Sequence, residues 1–170
     1  RTTLAINVDG TVETVLAALP GMLARGRGQI GLLSSLGAFA PSPGFAAYGA
    51  SKAMIRIWGE ALRAQLAPRG IRVNVICPGF VDTGMTDPLP RPHPGHMTPA
   101  RAAAIIARGL AANRARIVFP WWLYLITRTM GMLPPDIVAR LSMRTKPVRA
   151  AVDETPYPQA GDNEPSQRRR

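Results

Sequence analysis

Two short apolar runs, Gln29 to Ser34 and Ile71 to Cys77, flank a long helical pattern from Ala46 to Leu66, and that order constrains the fold more than any other feature of the chain. A helix of that length between two strands excludes a hairpin. It implies a parallel pair joined by a crossover, for which the right-handed sense is the rule. Gln29 to Ser34 is the kind of run found in parallel strands covered on both faces, and the β-branched Ile71, Val73, Val75 and Ile76 suit a central strand. Asn74, inside the second run, is expected to meet a polar partner rather than solvent. The helix between them offers Ile55, Trp58, Leu62 and Leu66 as a packing stripe and is stopped by Pro68 and Gly70.

Upstream, Leu4, Val8, Val12, Val15, Leu16, Leu19 and Leu23 recur at helical spacing, which predicts one long helix from Leu4 to Ala24, ended by Gly26 to Gly28. Pro20 should kink it or open its last turn. Gly37 to Gly44, with Pro41 and Pro43, is a loop. Asp87 to Pro99 contains five prolines and a glycine, the composition of a mobile connection. Thr98 then caps a helix with Pro99 in its first position, running to about Ala112, and Arg116 to Phe119 reads as the last strand. The apolar run from Trp121 to Leu133 is too short to cross a bilayer, which needs about 20 apolar residues, and Arg128 interrupts it. It reads as a helix packed on the domain core or at a subunit contact, with an interfacial helix whose aromatics sit among lipid headgroups as the alternative. Residues 146–170 are polar and proline-rich, end in Arg168-Arg169-Arg170, and are expected to be a disordered basic tail.

Hydrophobic residues make up 46% and charged residues 18% of the 170, enough apolar material for one domain core. The formal net charge of +11 raises nucleic acid and anionic membranes as partners. The arginines, however, are scattered over helix faces and the tail without interleaved aromatics, so no specific nucleic-acid site is expected. A single cysteine excludes an internal disulfide, and Cys77 reads as a small buried residue at a strand end. His93 and His96 lack further ligands, so no metal site is expected. Gly26-Arg27-Gly28-Gln29-Ile30-Gly31 spells out the glycine pattern of a dinucleotide site. Its glycines end a helix and precede a strand, the reverse of the order that would aim a helix N-terminus at a pyrophosphate.

The chemistry resides in Tyr48-Gly49-Ala50-Ser51-Lys52, with Ser34-Ser35 upstream. A phenol has an ordinary pKa of about 10, so a tyrosine that moves protons near neutrality needs a cation to favour its phenolate. Tyr48 and Lys52 lie four apart on a helix and therefore on one face, so Lys52 can be that cation. A serine hydroxyl brought in from a separate strand could polarise a substrate oxygen.

These residues resemble the C-terminal part of a short-chain dehydrogenase/reductase. Ile6-Asn7-Val8 is similar to the segment carrying that family's active-site asparagine, and Gly31-Leu32-Leu33-Ser34-Ser35 to the strand ending in its catalytic serine. Tyr48 to Lys52 matches the Tyr-x-x-x-Lys motif. Arg72-Val73-Asn74-Val75-Ile76-Cys77-Pro78-Gly79 matches the next strand and its Pro-Gly turn, followed by Val81 and Thr83. The resemblance implies a Rossmann-like, doubly wound parallel α/β sheet of which 1–145 is the C-terminal portion. The family's glycine-rich turn and first strands would lie upstream, and the chain is read as part of a longer protein.

The resemblance also implies roles. Asn7, Ser35, Tyr48 and Lys52 would be catalytic, with Ser35 preferred to Ser34 by spacing. Asn7, Tyr48, Lys52, Pro78, Gly79, Val81 and Thr83 would contact NAD or NADP, NADP being slightly favoured. Lys52 would lower the pKa of Tyr48, and Asn7 would anchor a water relaying protons to Lys52. Residues 87–99 would cover the substrate, a small hydrophobic carbonyl or alcohol. The complete protein would be a cytoplasmic homo-oligomer. A catalytically inactive fragment, or a membrane-surface or interaction protein on the same scaffold with contact through 121–133, is the alternative.

Overall fold

The structure is a computed structural model in which residues 2–41, 45–82 and 95–142 are described. Thr83, His93, most of the 87–99 segment and the 146–170 tail lie outside the described residues. Three parallel strands, β1 (Gly28–Leu33), β2 (Ile71–Pro78) and β3 (Arg116–Phe119), form a sheet in the order β1-β2-β3. The register sets Gly31 beside Asn74 and Cys77 beside Val118. The helices are α1 (Thr2–Leu4), α2 (Gly10–Ala24), α3 (Ala46–Leu66), α4 (Pro99–Ala111), α5 (Trp121–Met130) and α6 (Pro135–Ser142).

Strand β2 is central, as its β-branched residues imply, and Val73, Val75, Asn74 and Cys77 are all but inaccessible to solvent. Alternation along the strands sorts the helices into two layers. Ile30, Leu32, Ile71 and Val73 pack with Val15 of α2 and with Ile55 and Leu66 of α3. Nearer the carboxyl ends of the strands, α5 joins that layer, with Leu123 and Tyr124 against Leu36, Val75 and Cys77. On the opposite face, Ile76, Ile117 and Phe119 pack with Ala102, Ile105 and Leu110 of α4. Helices on both faces of a parallel sheet make this part of a doubly wound α/β fold.

Close approach makes the α3 layer tight. A Cβ at Gly59 would lie 2.6 Å from Leu32 Cδ1 and 2.8 Å from Val75 Cγ2, so only glycine lets the helix axis come this near the sheet. At the foot of the sheet Gly70, with φ 76°, turns the chain from α3 into β2 directly against the Gly26 carbonyl, where no side chain fits.

Three expectations are corrected here. The crossovers β1–α3–β2 and β2–α4–β3 step the same way across the sheet with their helices on opposite faces, so they are of opposite hand. One of them therefore breaks the right-handed rule. The 20 residues between Pro78 and Pro99 give the chain length to change faces. Strand β1 is fully covered on one face only: Ile30 and Leu32 are buried, whereas on the other face α4 touches the start of the strand, where Gln29 Nε2 donates to Leu110 O at 2.8 Å, and leaves Leu33 54% exposed at its end. The N-terminal helix is interrupted by a π-helical turn, Ala5–Asp9, before α2 runs through Pro20 to Ala24. Of its apolar stripe only Val15 is buried, while Leu4 and Leu16 remain exposed.

Asn74 meets polar partners, as its place in an apolar run requires. Its Nδ2 donates to Arg114 O at 2.7 Å and Asn113 Oδ1 at 3.2 Å, and its Oδ1 accepts from Gln29 Nε2 at 2.8 Å. Arg63 completes this network by donating to Val73 O and to both oxygens of Asn113. A cavity of about 310 Å³ lined by Arg63, Gly70, Arg72 and Asn113 opens here, at the amino ends of the strands. Its guanidinium Arg63 is already committed to that network.

Candidate active site

The carboxyl end of β1 delivers two adjacent serines in opposite directions, as pleating dictates. Ser34 is buried; its Oγ donates to Lys52 O at 2.7 Å, and its backbone N–H continues the ladder to Ile76 O at 2.7 Å. It is a fastener between β1 and α3. Ser35 leaves the strand and caps the short 3₁₀ turn Leu36–Ala38, with its Oγ accepting from Gly37 N at 3.1 Å. The same Ser35 side chain lies near enough to the Tyr48 phenol to favour its ionised form. The two serines thus have different surroundings.

Tyr48 and Lys52 project from the first turns of α3. The Lys52 ammonium lies 5.7 Å from the Tyr48 ring centroid and donates to Leu33 O at 3.1 Å, which leaves donors free for a further partner. Burial pushes the Tyr48 pKa above the ordinary phenol value, and the neighbouring Ser35 side chain opposes this without reversing it. Burial likewise lowers the Lys52 pKa. The direction at Tyr48 is the reverse of the sequence-based expectation, because loss of solvent around the phenol outweighs every favourable contact it makes here.

Asn7 reaches this cluster from the π-helical turn. Its Nδ2 donates to Ser51 Oγ at 3.1 Å, and Ser51 Oγ donates to Tyr48 O at 2.7 Å, so the asparagine is tied to the turn of α3 that carries the tyrosine. Its Oδ1 is an acceptor with no role in that pair. Pro78 and Gly79 end β2 on the same side of the sheet, with Gly79 N donating to Phe119 O at 2.7 Å. Val81 bridges to Met97, which is buried, and Asp82 contacts His96 Nδ1 at 3.1 Å. The last part of the proline-rich segment is therefore anchored at this end of the sheet. Thr83 lies outside the described residues.

The glycines of the decoy pattern behave as a helix stop. Gly26, with φ 64°, donates to Leu23 O beyond the end of α2, and Gly28 opens β1. Among the described residues these glycines therefore form a connection between α2 and β1 and not a pyrophosphate cradle.

Sequence reasoning missed the brace behind Ser35. Phe39, which closes the 3₁₀ turn, stacks edge-on against Tyr124 of α5 at 5.0 Å between centroids. The guanidiniums of Arg56 and Arg116 lie 4.7 and 5.3 Å from the Phe39 ring centroid. Arg116 also donates to Glu60 Oε1 at 2.5 and 2.8 Å and to the Tyr124 hydroxyl at 2.8 Å. Gly131, just past α5, abuts the Phe39 carbonyl. Four segments thus converge on one loop, through residues with no periodic relation in the sequence. Beside them burial pushes the Cys77 thiol up to about 11, which keeps it neutral and inert.

The short chain dehydrogenase family profile matches residues 1–93. An uncharacterized oxidoreductase of Myxococcus xanthus is 38% identical over 140 residues, covering 82% of this chain and 55% of that protein. Human dehydrogenase/reductase SDR family member 4 is 42% identical over 84 residues, 49% of this chain and 30% of that protein. Among solved structures, a short chain dehydrogenase from Burkholderia cenocepacia in complex with NADP superposes with a TM-score of 0.68 at 26% identity, over 83% of this chain and 58% of that one. The chain spans at most about half the length of these relatives. The matching profile covers the segment that supplies Ser35, Tyr48 and Lys52, and the parallel sheet agrees with the superposed structure: the chain belongs to the short-chain dehydrogenase/reductase family.

Proposed function

We propose that, in the complete protein, this chain supplies the catalytic half of an NAD(P)-dependent oxidoreductase acting on an apolar carbonyl or alcohol. The observation that carries this reading is the meeting of Ser35, Tyr48 and Lys52 at the carboxyl end of a parallel sheet, with the Lys52 ammonium 5.7 Å from the centroid of the phenol ring. In open α/β sheets, ligands bind outside the carboxyl ends of the strands.

A bound nicotinamide would supply or take up the hydride. Ser35 hydrogen-bonds the substrate oxygen and holds it beside the phenol. Tyr48, kept protonated by burial, donates its proton to that oxygen during reduction and recovers it in the reverse direction. Lys52 stands over the phenol with N–H groups available for a ribose hydroxyl. Asn7 keeps Oδ1 for a water that relays protons to Lys52, and its other end holds Ser51 and hence the first turn of α3. Pro78, Gly79 and Val81 would back the ring, with Thr83 following. NADP is favoured because the similar Burkholderia protein is an NADP complex. The apolar Leu36 to Phe45 segment supports a hydrophobic substrate, and the resemblance supports a homo-oligomer.

Tyr48→Phe in the complete protein should cut turnover by about 10²- to 10⁴-fold, the usual weight of a positioned acid–base group. Cofactor binding, read by fluorescence, should change little. Near-normal turnover would overturn the assignment.

A further inference from the structure

We propose, resting on the reductase reading, that Arg116, Glu60 and Phe39 are positioning residues for Ser35: a half-buried ion pair behind the site fixes where the serine stands. Ser35 and Phe39 are the two caps of one 3₁₀ turn, Leu36–Ala38. Ala38 N donates to Ser35 O at 3.1 Å and Phe39 N to Leu36 O at 3.2 Å, so a displacement of Phe39 is passed to Ser35 through the turn. The turn also abuts the helix that carries the phenol. A Cβ at Gly37 would lie 4.0 Å from Tyr48 Cε1, and one at Gly49 would lie 3.4 Å from Gly37 O. Whatever holds Phe39 therefore sets the place of Ser35 relative to Tyr48.

Charged groups hold it. Arg116 opens β3 on the sheet face covered by α3 and α5, the face on which Val118, two residues on, packs with Leu36, Val75 and Cys77. Its guanidinium donates through Nε at 2.8 Å and Nη2 at 2.5 Å to Glu60 Oε1, and through Nη1 to the Tyr124 hydroxyl at 2.8 Å. Its Cζ lies 5.3 Å from the Phe39 ring centroid, while Arg56 reaches the same ring at 4.7 Å and Glu60 Oε2 at 3.4 Å. Stability does not account for this arrangement. Two guanidiniums share one ring and one carboxylate, and Arg56 Nε is buried with no hydrogen-bond partner among the described residues, which costs free energy. Apolar side chains of similar volume often match or exceed an ion pair of this kind in stability. What they lack is direction, since the planar guanidinium fork fixes angles as well as distances.

The test is steady-state kinetics of the complete protein, with Ser35→Ala as the reference background. Arg116→Met combined with Glu60→Leu removes one charge of each sign and leaves the net charge of the cluster unchanged. The double variant should keep its melting temperature within about 4 °C of the unsubstituted protein. Its kcat should fall by about 10- to 100-fold, as when a catalytic group is displaced by about 1 Å, with cofactor affinity unchanged. Arg116→Lys, which keeps the charge and loses the fork, should lose kcat as well. Phe39→Leu should do the same without altering any charge. Placed in Ser35→Ala, each of these changes should lower kcat by no more than about two-fold further, because the group they position is already gone. Unchanged kcat in the double variant and in Phe39→Leu, with Ser35→Ala impaired, overturns the proposal alone. A full further loss in the Ser35→Ala background also overturns it, since the brace would then support the fold at large. Near-normal turnover in Ser35→Ala overturns it too, and near-normal turnover in Tyr48→Phe overturns the reductase reading with it. If the double variant does not fold, Phe39→Leu reads the same outcomes.

Discussion

Helices α2 and α3 lie against the same face of the same sheet and share one apolar cluster, yet they are held very differently. Helix α3 buries Ser51, Ile55, Gly59 and Leu66, and it carries Tyr48 and Lys52. Helix α2 buries Val15 alone and leaves Leu16 52% exposed. Both show apolar spacing in the sequence, so periodicity reports where a helix could be covered, not how closely it is. Part of the difference comes from one small residue at the contact. Gly59 allows α3 to sit within van der Waals reach of Leu32 and Val75, and so fixes the height at which its first turn presents the phenol.

That contrast can be broken by substitution. Ile55→Ala, at a position 1% exposed, should destabilise the complete protein by about 4 kcal/mol in denaturant unfolding, since a buried side chain is removed and a cavity left. A loss below about 1 kcal/mol would mean that α3 is no better held than α2. Gly59→Ala should cost about 2 kcal/mol through overlap with Leu32 and Val75, and should lower turnover as well, because the helix that carries Tyr48 must lift from the sheet.

A smaller effect sharpens the comparison at the first turn of α3. The folded state keeps the Tyr48 proton beyond the pH at which the unfolded chain, near pH 10, releases it. The stabilisation is therefore complete below about pH 10 and is lost as pH rises through the folded-state pKa. The melting temperature should fall more steeply above pH 10 for the unsubstituted protein than for Tyr48→Phe, and parallel curves would show the phenol to be solvated. The smallest effect belongs to α2: Leu16→Ala should change stability by no more than about 0.5 kcal/mol, as at other exposed positions.

Much of the site is legible in the chain because it is local or periodic. Strand β3 falls where Arg116 to Phe119 was read, and Thr98 caps α4 by accepting from Arg101 N. Ser35 is preferred to Ser34 by its spacing in the family resemblance, whereas the opposite directions of their side chains follow from the two-residue period at the end of β1. What was not legible depends on contacts between distant residues. Phe39, Arg56, Glu60, Arg116 and Tyr124 meet only because β3 and α3 are neighbours in space, and no spacing announces it. The hand of the second crossover is hidden for the same reason: either face of the sheet could accept the apolar stripe of α4. The π-helical turn at Ala5–Asp9 left no signal that a regular helix would lack.

The buried amide of Asn74 has a consequence for the other end of the molecule. Each of its polar atoms is matched to a group contributed by a different neighbour of β2: Gln29 on β1, and Asn113 and Arg114 just ahead of β3. A slip of β2 by a single residue against either neighbour would turn that amide into an apolar layer and orphan all of these partners at once. The network therefore works as an alignment pin. By forbidding every register but one at the foot of the sheet, it determines how far each strand protrudes at the top, and so places Ser35 and Pro78-Gly79 at their relative heights without touching either.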